Sequence, residues 1–151
     1  MIIKGKQPKM LAQLLASMKD ADGRVLVKGF YDGIAPLSDT EKKALAAMPN
    51  MDAQLKEEFG LGRTEGGGMR LDELLQLPAL NVRGLRSGAV GPQSRNVIPA
   101  EATASMEIRL VKGLDGRAQV QKVIEHIKGQ GYFVTDKEPD AALRQKYGRI
   151  A

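Results

Sequence analysis

Asn96-Val97-Ile98-Pro99-Ala100-Glu101-Ala102-Thr103-Ala104-Ser105-Met106-Glu107-Ile108-Arg109-Leu110-Val111 is the stretch that decides the fold of this chain. From Ala102 to Leu110 it alternates without a fault. Ala102, Ala104, Met106, Ile108 and Leu110 point one way; Thr103, Ser105, Glu107 and Arg109 point the other. Period-two alternation predicts a strand with one face in a core and one face wet. The wet face ends in an arginine beside small hydroxyl residues. That is a flat polar surface with one fixed positive charge, suited to an anionic group such as a carboxylate, although these residues by themselves favour an ordinary solvated sheet face.

Working outward, the chain has 151 residues, a length that suits one domain with a real core. Aromatics make up only 4% of it, so the core must rest on Leu, Val, Ile, Ala and on some of the seven methionines. There is no cysteine, which removes disulfides, thiolate catalysis and cysteine-based zinc sites. No apolar run approaches the roughly 20 residues a spanning helix needs. Met1 to Lys6 is too short for a signal peptide, and a cytoplasmic protein with no membrane partner is expected. The net charge of +5 is spread along the chain rather than bunched, unlike a nucleic-acid footprint.

Residues 2 to 4 read as a short strand, and Pro8 opens a helix with the stripe Leu11, Leu14, Leu15 and Met18. Ser38-Asp39-Thr40-Glu41 is a capping box, so a second helix starts there and runs to about Met48. A third fits Met51 to Phe59, with Gly60 as its stop. Gly62 to Gly68 reads as a flexible loop, and Arg70 to Leu77 as a turn or two of helix with Leu71, Leu74 and Leu75 inward. A strand follows Pro78 through Leu80, Val82 and about Leu85. After the long alternating strand comes a helix over about Arg117 to Lys128 with the stripe Val120, Val123, Ile124 and Ile127. Tyr132 to Thr135 reads as a last strand.

With residues 24 to 77 set aside as an insertion, the order is strand, helix, strand, strand, helix, strand. It predicts an α+β fold: a two-layer split β-α-β (ferredoxin-like) sandwich, with a four-stranded antiparallel sheet and both helices on one face. One domain is expected over residues 1–135, with 136–151 as a polar C-terminal tail or partial helix.

Catalytic groups are sparse. The one histidine, His126, lies beside the apolar stripe of its helix and reads as a solvated residue. One histidine and no cysteine do not make a zinc site, so no metal ligand and no catalytic residue is assigned. Glu57-Glu58 and Asp72-Glu73 are adjacent pairs that diverge on a helix. The glycine loop Gly60 to Gly68 lacks the Gly-Lys-Ser/Thr of a phosphate loop. Lys28-Gly29-Phe30-Tyr31 is similar to the start of an RNA-recognition motif, but Asp32-Gly33-Ile34 follows where stacking aromatics belong. A small basic RNA-binding module of ferredoxin-like fold is therefore the alternative, not the leading, reading.

Three pieces carry a resemblance. They are Gly29-Phe30-Tyr31-Asp32 with Pro36-Leu37-Ser38 and Glu41-Lys42; Pro78-Ala79-Leu80-Asn81-Val82 with Gly84; and Asn96-Val97-Ile98-Pro99-Ala100 with Ile108-Arg109-Leu110-Val111. Their order resembles the lid, or dimerisation, domain of the di-zinc metallopeptidases that include carboxypeptidase G, aminoacylase and succinyl-diaminopimelate desuccinylase. The nearest branch is the carnosine-dipeptidase-like enzymes. The resemblance implies two zinc ions in a parent catalytic domain and none in this chain. It implies that Arg109 grips a substrate carboxylate and that Asn96 lines the same site in the full enzyme. A histidine loop of the family finds no match at Lys6-Gln7-Pro8. The expected role is a non-catalytic, self-associating module. Its pairing edge is Leu80, Asn81, Val82, Arg83, Gly84, Leu85 and Arg86, giving one continuous sheet across a two-fold axis with the first helices side by side. Its partners are a second copy and the parent catalytic domain.

Overall fold

The alternating stretch forms the central strand, β3 (Ala102–Arg109), in the computed structural model, which describes residues 1–5 and 7–151. Lys6, in the short link where the histidine loop would lie, is outside the described residues. β1 (Ile2–Gly5) and β2 (Ala79–Ser87) flank β3, both antiparallel. Ala102, Ala104 and Met106 are buried, while Ser105 and Glu107 are exposed, so the predicted two-sidedness holds along the strand; Leu110, expected inward, lies past its end and is exposed. The inward face meets two helices. α1 (Pro8–Ala16) buries Leu11 and Leu14, and α5 (Gly116–Gly129) buries Val123 and Ile127, all in one cluster with Ile3, Ala104 and Met106. Pro8 opens α1 at no hydrogen-bond cost, and the Asp115 side chain caps α5 by accepting from Ala118 N–H at 2.8 Å.

The sheet has three strands among the described residues, not the predicted four. Tyr132 to Thr135 is extended, but its neighbour is the C-terminal segment. Phe133 N–H donates to Arg149 O at 3.0 Å, Ala151 N–H donates to Phe133 O at 2.9 Å, and Thr135 N–H donates to Ala151 O at 3.0 Å. Phe133 and Tyr147 stack with centroids 4.1 Å apart. No ladder joins this segment to β1 among the described residues. The segment expected as a polar tail thus carries a short helix, α6 (Ala141–Lys146), and buries Ile150.

The stretch set aside as an insertion divides in two. Its first residues are core: Val25, Val27 and Phe30 are buried, and Phe30 is fully enclosed. Gln119 of α5, also buried, donates to Phe30 O at 3.1 Å and locks this loop to the helix. The predicted stripe on α5 is therefore rotated slightly. Gln119 takes a buried place because a main-chain carbonyl needs a donor there, while Val120 and Ile124 are half-buried. The later residues form α2 (Asp39–Ala47), α3 (Asp52–Glu58) and α4 (Leu71–Leu74), none with a buried residue. Leu71 and Leu75, expected inward, are 44% and 48% exposed. A four-residue helix is too short to present a continuous stripe, and of the three leucines only Leu74 is half-buried.

Candidate functional site

Arg109 ends β3 on the wet face, and the chain holds it in place. Its Nη2 donates to Leu74 O at 3.1 Å, at the end of α4, and to Leu77 O at 2.9 Å, in the link to β2. Its Nε is buried and has no partner among the described residues. Both two-point grips of a guanidinium use one terminal nitrogen already spent here. A bidentate hold on a carboxylate therefore requires Nη2 to release those carbonyls; a one-point contact does not.

Arg109 lines a groove of about 970 Å³. One wall is the sheet end, with Ala79 and Asn81; the other is the insertion, with Leu55, Phe59, Leu71 and Leu74. The glycine loop, expected to be loose, also lines the groove and is tied down. Lys19 pairs with Glu65 at 2.9 Å, Arg63 with Asp22 at 2.5 Å, and Gly66 N–H donates to Asp22 O at 2.8 Å. Gly66 and its two neighbours Gly67 and Gly68 all have positive φ, which is why this segment is built of glycine.

Asn96 stands elsewhere. It is exposed, in the connection before β3, at the opposite end of the strand from Arg109. Eight strand residues at about 3.3 Å each put roughly 23 Å between the two ends. One copy of the chain does not bring Asn96 and Arg109 into one site.

β2 lies at the sheet edge, and none of its backbone groups bonds anything but β3 among the described residues. Leu80 is buried, but Asn81 to Arg86 are exposed, with Val82 at 49% and Leu85 at 62%. Val82 and Leu85 pair with Met106 and Ala104, so they lie on the helix-bearing side of the sheet where no helix reaches them.

His126 is half-buried rather than solvated. Its Nε2 lies 2.9 Å from Ser17 Oγ and ties α5 to the end of α1, and burial pushes the imidazole below its ordinary value. Among the described residues, no group of three or more His, Cys, Asp or Glu could hold a metal ion, so the residues present do not fit a zinc site. No described helix is long and apolar enough to cross a membrane. The RNA-binding reading fails on Phe30, which is wholly enclosed and cannot stack on a base. Nothing in the spacing of the sequence signals the groove, which arises from how the insertion and the sheet meet.

A model of the M20 peptidase dimerisation domain matches residues 8–133. The chain belongs to that family. Among curated relatives of this dimerisation domain, it is 28% identical over 123 residues to Beta-Ala-His dipeptidase of Mus musculus, covering 78% of the chain and 24% of the relative. To the Cys-Gly metallodipeptidase of Candida albicans it is 24% identical over 122 residues, covering 80% and 25%. The domain thus spans about a quarter of the length of the curated relatives it matches. Among solved structures, an M20 family metallo-carboxypeptidase from Sulfolobus solfataricus superposes with a TM-score of 0.69 at 26% identity, covering 83% of the chain and 34% of that one. Human carnosine dipeptidase 1 superposes at 0.72 with 22% identity, covering 85% and 31%, a likeness of fold.

Proposed function

We propose that this dimerisation domain joins two copies through the β2 edge and α1, and carries no hydrolytic activity of its own. The single observation behind the proposal is the bare β2 edge, with Val82 and Leu85 uncovered in a domain of this family. An edge with free N–H and C=O groups and an apolar flank is stabilised by pairing. A second copy offers the same edge and completes it about a two-fold axis. The exposed residues of α1, Ala12 and Ala16 among them, are small enough for a partner helix to approach closely.

In a whole enzyme, Arg109 would meet the carboxylate of a peptide-like substrate, with Nη1 as the donor left to it. Antiparallel pairing of two β2 strands turns one copy end for end. The Asn96 end of one copy then lies at the Arg109 end of the other, which would make the binding surface a joint product of both copies. Zinc does not fit the described residues of this chain, and no step is assigned through it.

Light scattering at micromolar concentration tests the association: a dimer is expected, and a strict monomer would sink the proposal. Leu85→Lys should shift the equilibrium to monomer while leaving the circular dichroism unchanged. Zinc-loaded chain incubated with dipeptides should release no amino acid.

A further inference from the structure

The register of the β2 edge contains an irregularity with a consequence for what can pair with it. Val82 faces Met106 and Gly84 faces Ser105, so Arg83 is an extra residue, a bulge. Arg83 reaches Glu107 at 3.3 Å, which places it on the wet face with Gly84. The bulge changes the parity of the strand. Val82 and Leu85 are three apart and would face opposite ways on a regular strand; here both lie on the helix-bearing side.

We infer that the bulge sets the register of self-association, with the two-fold axis passing between Arg83 and Gly84. The inference rests on the reading of β2 as the dimer edge. In this register Leu80 stands opposite the second copy's Ser87, Asn81 opposite Arg86, Val82 opposite Leu85, and Arg83 opposite Gly84. Every pair shares a face: Leu80, Val82, Leu85 and Ser87 on the helix side, and Asn81, Arg83, Gly84 and Arg86 on the wet side. Each bulge meets its own copy, so neither strand sets two residues against one.

The exposed Val82 and Leu85 cover each other twice across the axis. No two arginines are opposed, and the long Arg83 side chain faces a glycine. A register centred on Leu85 would set Arg86 against the bulged Arg83, and like charges directly opposite are destabilising. A register centred on Val82 would set each bulge against the single residue Asn81 and would spend Leu85 on Leu80, which is already buried. The bulge thus makes the edge selective for a second copy of this chain, since a regular strand has to distort to meet it.

The chain has no cysteine, so disulfide trapping reads the register directly. Val82→Cys/Leu85→Cys should oxidise to a covalent dimer on a non-reducing gel, because directly opposed side chains lie within disulfide reach. Each single variant should stay uncrosslinked, its two copies being about 10 Å apart along the strands. Asn81→Cys/Arg86→Cys repeats the test on the wet face and guards against disturbed packing at Val82. Crosslinking by Val82→Cys alone, or by Leu85→Cys alone, would overturn the register while leaving the dimer standing. Monomer by light scattering would overturn the dimer reading, and the register with it.

Discussion

At the scale of single residues, Arg109 and His126 show side chains whose partners decide their work. Arg109 ties the end of α4 to the sheet through two carbonyls. Charge-assisted bonds of this kind contribute about 1.5–3 kcal/mol each at most, less where water competes. Arg109→Ala should therefore lower the urea midpoint of the isolated chain, and Arg109→Lys should rescue only part of the loss because one ammonium cannot reproduce the planar donor geometry. His126 acts through its charge state. Burial holds its folded value below 6.5, so the neutral ring is the form the fold prefers. Its contribution is whole above the unfolded value and drains away as pH falls through 6.5 toward the folded value. Urea midpoints measured from about pH 7.5 down to about pH 5 should fall, and His126→Gln should flatten that slope.

At the scale of elements, α2 is held by its N-terminus more than by packing. Ser38 Oγ accepts from Glu41 N–H at 3.3 Å, and Glu41 accepts from Ser38 N–H at 2.7 Å and from Lys112 at 3.2 Å. The Ser38 backbone and hydroxyl, with Lys112 behind them, bring the Glu41 carboxyl down to about 2. The stabilisation this gives is present above the ordinary carboxylate range and is lost as pH falls from 4.5 toward about 2. Ser38→Ala should weaken α2 locally by about 1 kcal/mol, read as faster amide exchange in that helix and little change in the global midpoint. The capping box was legible as four letters, since all its bonds are local. The pairing of Tyr132 to Thr135 was not. Its extended character is local, but the choice between β1 and the C-terminal segment depends on Phe133 meeting Tyr147.

At the scale of the molecule, the core runs through both layers and into the first residues of the insertion. Phe30 joins them: it is fully enclosed, meets Tyr31 edge-on at 5.6 Å, and its carbonyl is held by Gln119. Phe30→Ala should cost about 3–5 kcal/mol in global stability, since it removes a large side chain from a packed site. The loss should appear in one cooperative urea transition rather than as separate melting of the insertion.

Sequence alone determined the strand Ala102–Arg109 and its two faces, the starts of α1, α2 and α5, the edge position of β2, and the family resemblance that the matched domain shares. These follow from periodicity, caps and proline placement, which act within one or two turns of chain. Tertiary structure decided that Phe30 is core, that the last extended segment pairs with the C-terminus, that Arg109 is held by α4, and that Arg83 bulges. Each of those is a contact between segments far apart in sequence, settled by which backbone groups and apolar surfaces remained unpaired once the local elements had formed.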